Sequence, residues 1–260
     1  MPGSEHSSGV PRNFEKFLGH DKTVHGYIRR RVTQANLERL TDLNSGKTLR
    51  AIDIGGGEGA DAQRLQSLGH KVILIDPNES MINAARELKG PPLSAIIPGD
   101  IDTALALPSA EGSFDLVLSH GVLMYQDNPQ AEVDKLVRLL KPGGTLSLLT
   151  KGLVGARIQA AQNRDADRLR SLNQDGSYVN EMGPARAYSA AKLRTFIENS
   201  GLDIIDWFGV IISSDDRREP IDEVSETELT ALFWKELMLS RDPHQRHKGQ
   251  MLQFIARKNA

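Results

Sequence analysis

Apolar positions in this chain fall into two patterns that alternate from one end of its middle to the other. Short continuous runs, four to six residues long, suit strands buried on both faces. They occupy 51–54, 71–75, 94–97, 114–119 and 145–149. Between them the apolar residues recur every three or four positions, which suits helices showing one face to a sheet. Leu65 and Leu68 mark one helix over 60–68. Met81, Ala84, Ala85 and Leu88 mark a second over 81–88, and 101–107 has helical character. Val133, Leu136, Val137 and Leu140 mark another over 128–140. Strand and helix in strict alternation predict a parallel sheet covered on both faces. Upstream, Val24, Ile28, Val32, Ala35, Leu37 and Leu40 give a helix over 23–43. Downstream, 151–172 reads as a charged, alanine-rich helix and 173–187 as a loop over the site. A helix over 189–200 is capped by Ser189, buries Leu193, Phe196 and Ile197, and is stopped by Gly201. An alternating strand within 202–212, a helix over 223–239 and a last strand over 250–257 complete the chain. The fold class is therefore α/β, a doubly wound, Rossmann-like sheet of seven strands.

The turn after the first strand carries the chemistry. Asp53-Ile54-Gly55-Gly56-Gly57-Glu58-Gly59-Ala60 places four glycines within five positions between a strand and a helix. Glycine is required there because a side chain would hold a ligand off the backbone and because tight turns need positive φ. The second strand ends in Asp76, an acid placed to take a ribose diol. Two cofactor classes fit these residues. Gly55, Gly57 and Ala60 satisfy the dinucleotide pattern, whose pyrophosphate sits on the helix N-terminus. Asp53 instead suits a cofactor bearing cationic ammonium and sulfonium groups, and it can also simply hydrogen-bond the glycine amides.

Three later segments favour the second class. Pro98-Gly99-Asp100-Ile101, the run 113–123 through Ser119-His120-Gly121-Val122-Leu123, and Leu140-Lys141-Pro142-Gly143-Gly144 resemble, in this order, motifs of class I S-adenosylmethionine (SAM) methyltransferases. More narrowly, the chain resembles the bacterial tRNA 5-carboxymethoxyuridine methyltransferase family. That similarity runs through Glu15-Lys16-Phe17, Gly26-Tyr27-Ile28-Arg29, Gly55 to Gly59, Gly69 to Leu74, His120-x-Val122-Leu123, Asp127-x-Pro129, Leu140-x-Pro142-Gly143-Gly144 and Ile255-Ala256-Arg257-Lys258. The resemblance implies a mostly parallel sheet with one antiparallel strand beside strand five, and SAM as cofactor. The polar start with Gly, Ser and Pro reads as a disordered arm at 1–12, and the resemblance implies an N-terminal helical lid at 13–48 and a methyltransferase domain at 49–260, with 151–188 as a lid or substrate segment. It implies cofactor contacts from Arg29, Asp53, Gly55, Gly56, Gly57, Asp76, Pro77, Met81, Asp100, Ile101 and His120, with Arg29 on the SAM carboxylate and Asp100 on the adenine amine. A guanidinium fork on a carboxylate is the expected pairing.

The acceptor side departs from that family. The segment after strand five has Arg186 where the relative carries a lysine run, Met124-Tyr125 replace an aromatic pair, and Lys151-Gly152 follow strand five. These differences favour a small-molecule or metabolite-like acceptor, with a tRNA wobble uridine as the alternative. Tyr125, Lys151, Arg186 and Tyr188 are the acceptor-side candidates, Tyr178 being a further lid residue. His120 is the best-placed group of a base-like pKa class, and positioning the cofactor is its competing role.

Composition narrows the rest. The 260 residues are 39% hydrophobic and carry a net charge of −2, which gives no global field for nucleic acid. There are no cysteines, so thiolate catalysis and Cys-type zinc sites are excluded. His244 and His247 are three apart without an evident third ligand, so no metal is expected. His20 and His25 lie near the N-terminal lid, and 215–218 reads as a charged turn. No apolar run approaches the ~20 residues of a membrane span, and the polar start lacks a signal peptide's apolar core; a cytoplasmic enzyme is expected. A nicotinamide-dependent oxidoreductase would place a Tyr-x-x-x-Lys or similar pair behind strand four, and no such pair is expected there. A non-catalytic SAM-binding protein remains the third class.

Overall fold

The computed structural model describes residues 19–214 and 216–259. The expected arm at 1–12, Glu15 to Phe17 and Asp215 lie outside them. The central strands are β1 (Arg50–Ile54), β2 (Lys71–Asp76), β3 (Ala95–Pro98), β4 (Phe114–His120) and β5 (Leu140–Lys151). Two small strands, β6 (Ser177–Asn180) and β7 (Gly183–Arg186), precede β8 (Leu202–Val210) and β9 (Met251–Lys258). The large sheet has the order β3-β2-β1-β4-β5-β9-β8. Its first five members are parallel, and β9 runs antiparallel between β5 and β8. This is the doubly wound, seven-stranded plan expected from the alternating pattern.

The helices are α1 (Val24–Leu40), α2 (Ala60–Ser67), α3 (Glu79–Arg86), α4 (Ile101–Ala106), α5 (Pro129–Leu139), α6 (Leu153–Gln162), α7 (Ala166–Gln174), α8 (Ala190–Asn199) and α9 (Glu226–Arg241). On one face of the sheet Ile52, Ile75, Val117, Leu146 and Phe254 meet Ile101, Leu136 and Leu193 from α4, α5 and α8. On the other face Ala51, Val72, Leu74, Leu118 and Ile255 meet Leu37, Leu65 and Ile82 from α1, α2 and α3. Because strand side chains alternate, the same α1–α2 face carries Asp53, Asp76, His120, Ser147 and Gln253 near the strand ends. One face is therefore mainly apolar, with Ser119 and Thr150 buried in it, and the other turns polar where a site would lie.

Helix α1 is bound into this body. Val24, Ile28 and Val32 are fully buried among Leu149, Val210, Leu237 and Met251. Its approach is paired as well, with Val24 N donating to Glu219 O at 2.9 Å and His25 N to Arg217 O at 2.8 Å.

Four local expectations are corrected. The stretch 151–172 is not one helix but α6 and α7, broken where Arg164 takes φ 55° and Asp165 caps α7 through the Arg168 amide. Residues 173–187 are not a plain loop; β6 and β7 form a hairpin whose alternate residues Tyr178 and Ala185 are buried against Ala156, Ala160 and Leu172. Two four-residue strands are too short for alternation to stand out in a sequence. Strand β5 begins at Leu140, so the Lys-Pro-Gly-Gly segment belongs to it. In α3 Met81 and Ala85 are buried as expected and Ile82 joins them, while Leu88 lies beyond the helix end and is 37% exposed. Among the described residues no helix is long and apolar enough to cross a membrane.

Candidate active site

The glycine turn is built from backbone hydrogen bonds at the C-terminal ends of β1 and β2. The amides of Gly55 and Gly56 both donate to Ile75 O, at 2.8 and 3.2 Å, and Gly57 N donates to Asp76 Oδ2 at 2.9 Å. Asp76 also accepts from Asn78 N at 2.9 Å, and Asn78 in turn caps α3 through the Met81 amide. Burial pushes the Asp76 carboxyl upward, against the pull of these two amides. Gly57 has φ 56°, and a Cβ there would meet nothing nearer than Met81 Sδ at 4.0 Å. Any side chain at Gly57 would occupy open space beside the turn, as a cradle for a ligand requires.

Asp53 lies under this turn and is 2% exposed. The glycine amides are satisfied elsewhere, so the alternative role of Asp53 as their acceptor is not realised. Burial, followed by repulsion from Asp61 and Asp76, raises its carboxyl well above the ordinary value. A buried acid among other acids suits a cationic ligand group and opposes a pyrophosphate.

Arg29 and His120 flank the same region. Arg29, half-buried on α1, lies close enough to influence both Asp61 and His20. His120 places Nδ1 2.9 Å from Asp61 Oδ2 and Nε2 2.9 Å from Ser147 Oγ. Burial alone would raise Asp61, but the His120 hydrogen bond and charge, then Arg29 and Gln34, hold it at about 2. Neither Asp61 nor Ser147 was singled out from the sequence. The signal available was small: an acid two residues past Gly59, and a serine in an otherwise apolar strand. The turn is also met by the segment before α1, where Gly19 N donates to the Glu58 carboxylate. Beside it His20 and His25 stand edge to face with ring centres 5.2 Å apart. Burial, then Arg29, His25 and Arg218, push His20 down to about 3. At the adenine end expected from sequence, Asp100 Oδ1 accepts from the Asp102 and Thr103 amides, both at 3.1 Å, and caps α4. Ile101 and Met81 are buried next to these turns, while Pro77 is exposed.

The acceptor-side candidates divide. Tyr125, in the turn after β4, accepts from Asn180 Nδ2 at 2.9 Å, joining that turn to the β6–β7 hairpin. Tyr178 of the hairpin is buried with its hydroxyl on Met124 Sδ at 3.5 Å, and burial raises its pKa. Lys151 donates to Gln250 Oε1 at 2.7 Å, which turns its ammonium toward β9. The structure does not bring Arg186 or Tyr188 to the mouth. Arg186 points out from the exposed side of β7, 3.8 Å from Asp175. Tyr188 is 4% exposed, donates to Leu123 O at 3.4 Å and packs edge to face on Phe196. Tyr188 and Lys192 do have Tyr-x-x-x-Lys spacing, but Lys192 stacks over Phe196 and the pair lies in the α8 cap, not in a reductase site. Among the described residues no cluster of His, Cys, Asp and Glu could hold a metal.

Residues 52–148, from β1 into β5, match the methyltransferase domain family. With its seven-stranded sheet and glycine turn between two acids, the chain is a class I SAM-dependent methyltransferase. It is 29% identical to the tRNA 5-carboxymethoxyuridine methyltransferase of Escherichia coli K12, over 76% of each chain. It is 34% identical to the malonyl-[acyl-carrier protein] O-methyltransferase of Erwinia pyrifoliae, over 58% of this chain and 55% of that protein. It is 28% identical to the ubiquinone biosynthesis O-methyltransferase of Dinoroseobacter shibae, over 72% and 73%. A solved SAM-dependent methyltransferase from Mesorhizobium loti superposes with a TM-score of 0.61 at 19% identity, covering 92% of this chain and all of that one. That likeness bears on the fold.

Proposed function

We propose that the enzyme methylates a small, metabolite-like acceptor, with the cofactor lying across the ends of β1, β2 and β4. In this reading Arg29 holds the methionine carboxylate, Asp53 faces the methionine ammonium, and Asp76 takes the ribose diol. Gly55, Gly56 and Gly57 admit the cofactor to the backbone. Pro77, Met81, Asp100 and Ile101 border the adenine, and His120 borders the methionine. The residues fit such a ligand: a cation-seeking acid, an acceptor at the second strand tip, and a space at Gly57 that a side chain would fill. The bound cofactor supplies a methyl group on a sulfonium leaving group. The protein's part is to bind, align and exclude water, which lowers the barrier by removing orientational freedom beforehand.

The observation that carries the small-acceptor reading is the hairpin over the turn after β4. The Asn180–Tyr125 hydrogen bond and the Tyr178–Met124 contact cover that turn, and the hairpin's Arg186 is directed away toward Asp175. Residues 151–188 would thus act as a cover and 19–48, the described part of the expected lid, would border the glycine turn. The tRNA reading is favoured by one observation, similarity to the Escherichia coli tRNA enzyme over three quarters of both chains. The test is transfer of labelled methyl from SAM into a cell extract, followed by separation of the low-molecular-weight fraction from precipitated RNA. Label in the filtrate is expected. Label in tRNA, together with salt-sensitive tRNA binding, would replace this reading with the second.

A further inference from the structure

Six residues from five elements close a ring of hydrogen bonds under the proposed methionine site. Starting on α1, Gln34 Nε2 donates to Asp61 Oδ1 at 3.1 Å on α2. Asp61 Oδ2 meets His120 Nδ1 at 2.9 Å at the end of β4, and His120 Nε2 meets Ser147 Oγ at 2.9 Å on β5. Gln253 Nε2, on β9, donates to Ser147 Oγ at 3.2 Å and to Thr33 O at 3.1 Å, returning to α1 one residue from the start. Ser147 and Gln253 are fully buried and Thr33 nearly so. The Thr33 hydroxyl donates to Arg29 O at 2.8 Å, so the ring grips the helical turn that carries Arg29.

For a neutral His120 the directions of these bonds are determined by chemistry. Asp61 is a carboxylate and only accepts, so the His120 proton facing it sits on Nδ1. Ser147 accepts from Gln253, and its single proton is then available to His120 Nε2. The neutral imidazole with Nδ1–H satisfies each of these groups once, and leaves no His120 lone pair for an acceptor's proton. Gln253 Oε1 is left without a hydrogen-bond partner among the described residues, while the bonds named above join the remaining groups, and a buried polar network rigidifies what it joins.

We infer that Asp61, Ser147 and Gln253 are positioning residues: through the closed ring they hold the Arg29 turn of α1 and the His120 ring at fixed places beside the glycine turn. His120 then serves as a wall of the site in its Nδ1–H form, and the base role open to it on sequence grounds is withdrawn. This rests on the proposed reading of Arg29 and His120 as cofactor-side residues.

The experiment uses the full chain labelled with ¹⁵N-histidine, with the His120 signals identified by their loss in His120→Gln. Long-range nitrogen–proton spectra at mildly alkaline pH should show the Nδ1–H tautomer in the wild type. Asp61→Asn has nearly the same shape but can donate to Nδ1, so the tautomer should shift toward Nε2–H. Gln253→Leu opens the ring at its other end and should leave the tautomer as it was. In both variants S-adenosylhomocysteine affinity should fall roughly five- to fiftyfold, the effect of a broken buried polar network. An Nε2–H tautomer in the wild type, or wild-type affinity in both variants, overturns the inference. Should a variant fail to fold, the wild-type tautomer and the remaining variant decide. The cofactor-site reading is checked separately: if Arg29→Ala and Asp76→Ala both bind S-adenosylhomocysteine normally, that reading fails, whereas the tautomer needs no ligand.

Discussion

The Gly57 amide donates to the Asp76 carboxylate at 2.9 Å, across the gap between the first and second strand tips. One acid therefore shapes the turn and presents its other oxygen, which also receives Asn78 N, at the edge of the site. Asp76→Ala should weaken S-adenosylhomocysteine binding by about 1–3 kcal/mol, because it removes the ribose acceptor and leaves the two amides without their partner. Calorimetric titration measures this directly, and an unchanged dissociation constant would remove Asp76 from the site.

Gly57→Val should abolish cofactor binding while leaving a folded protein. The position has φ 56°, which strains a β-branched residue by about 1–3 kcal/mol. The added side chain would enter the open space next to Met81. Titration with SAM, alongside a melting curve to show folding, separates the two effects.

Arg29→Ala should weaken binding of S-adenosylhomocysteine but not of adenosine, which lacks the amino-acid carboxylate. The expected loss for a charged hydrogen bond is about 1.5–3 kcal/mol. Equal losses for both ligands would mean that Arg29 supports the fold of α1 rather than the ligand.

The raised Asp53 carboxyl predicts proton release on cofactor binding. A bound cation favours the carboxylate, so binding expels a proton wherever the unliganded protein holds Asp53 protonated. Affinity for SAM should accordingly fall as pH drops through that raised pKa. Titrations in buffers of different ionisation enthalpy count the proton, and Asp53→Asn should abolish the release.

Glu132, 7% exposed in the first turn of α5, is pushed from its ordinary 4.5 to about 7 by burial, with Asp102 and Asp100 adding to the shift and Lys135 opposing it. The folded state binds this proton more tightly than the unfolded chain. Its contribution to stability is full below the unfolded value and is lost as pH rises through about 7. Glu132→Gln should therefore stabilise the protein more at pH 8 than at pH 5, by at most ~3 kcal/mol. Melting at the two pH values checks the sign.

The legible parts of this protein were those written in local sequence. The first two strand runs, the glycine turn, Asp53 and Asp76 lie within one βαβ unit, where spacing alone places the turn and both acids at adjacent strand tips. On the acceptor side the structure supplies partners from distant parts of the chain. Tyr188 carries the same hydroxyl as Tyr125, but one is closed into the core by Phe196 and the other sits in the turn after β4. Lys151, an acceptor-side candidate, is engaged by Gln250, a residue 99 positions away. No local pattern encodes such a partner.

Periodicity and glycine chemistry determined the doubly wound sheet and the strand that starts the site, because those depend on residues near one another in the chain; the cofactor class came from the resemblance of three later segments to methyltransferase motifs. What the tertiary structure alone decided is the register that sets His120 between Asp61 and Ser147 and closes the ring through Gln253 to Thr33, 220 residues apart. A period of two states which face a strand residue takes. It does not state which neighbour it will meet there, since that depends on strand order and on how α1 is laid across the finished sheet.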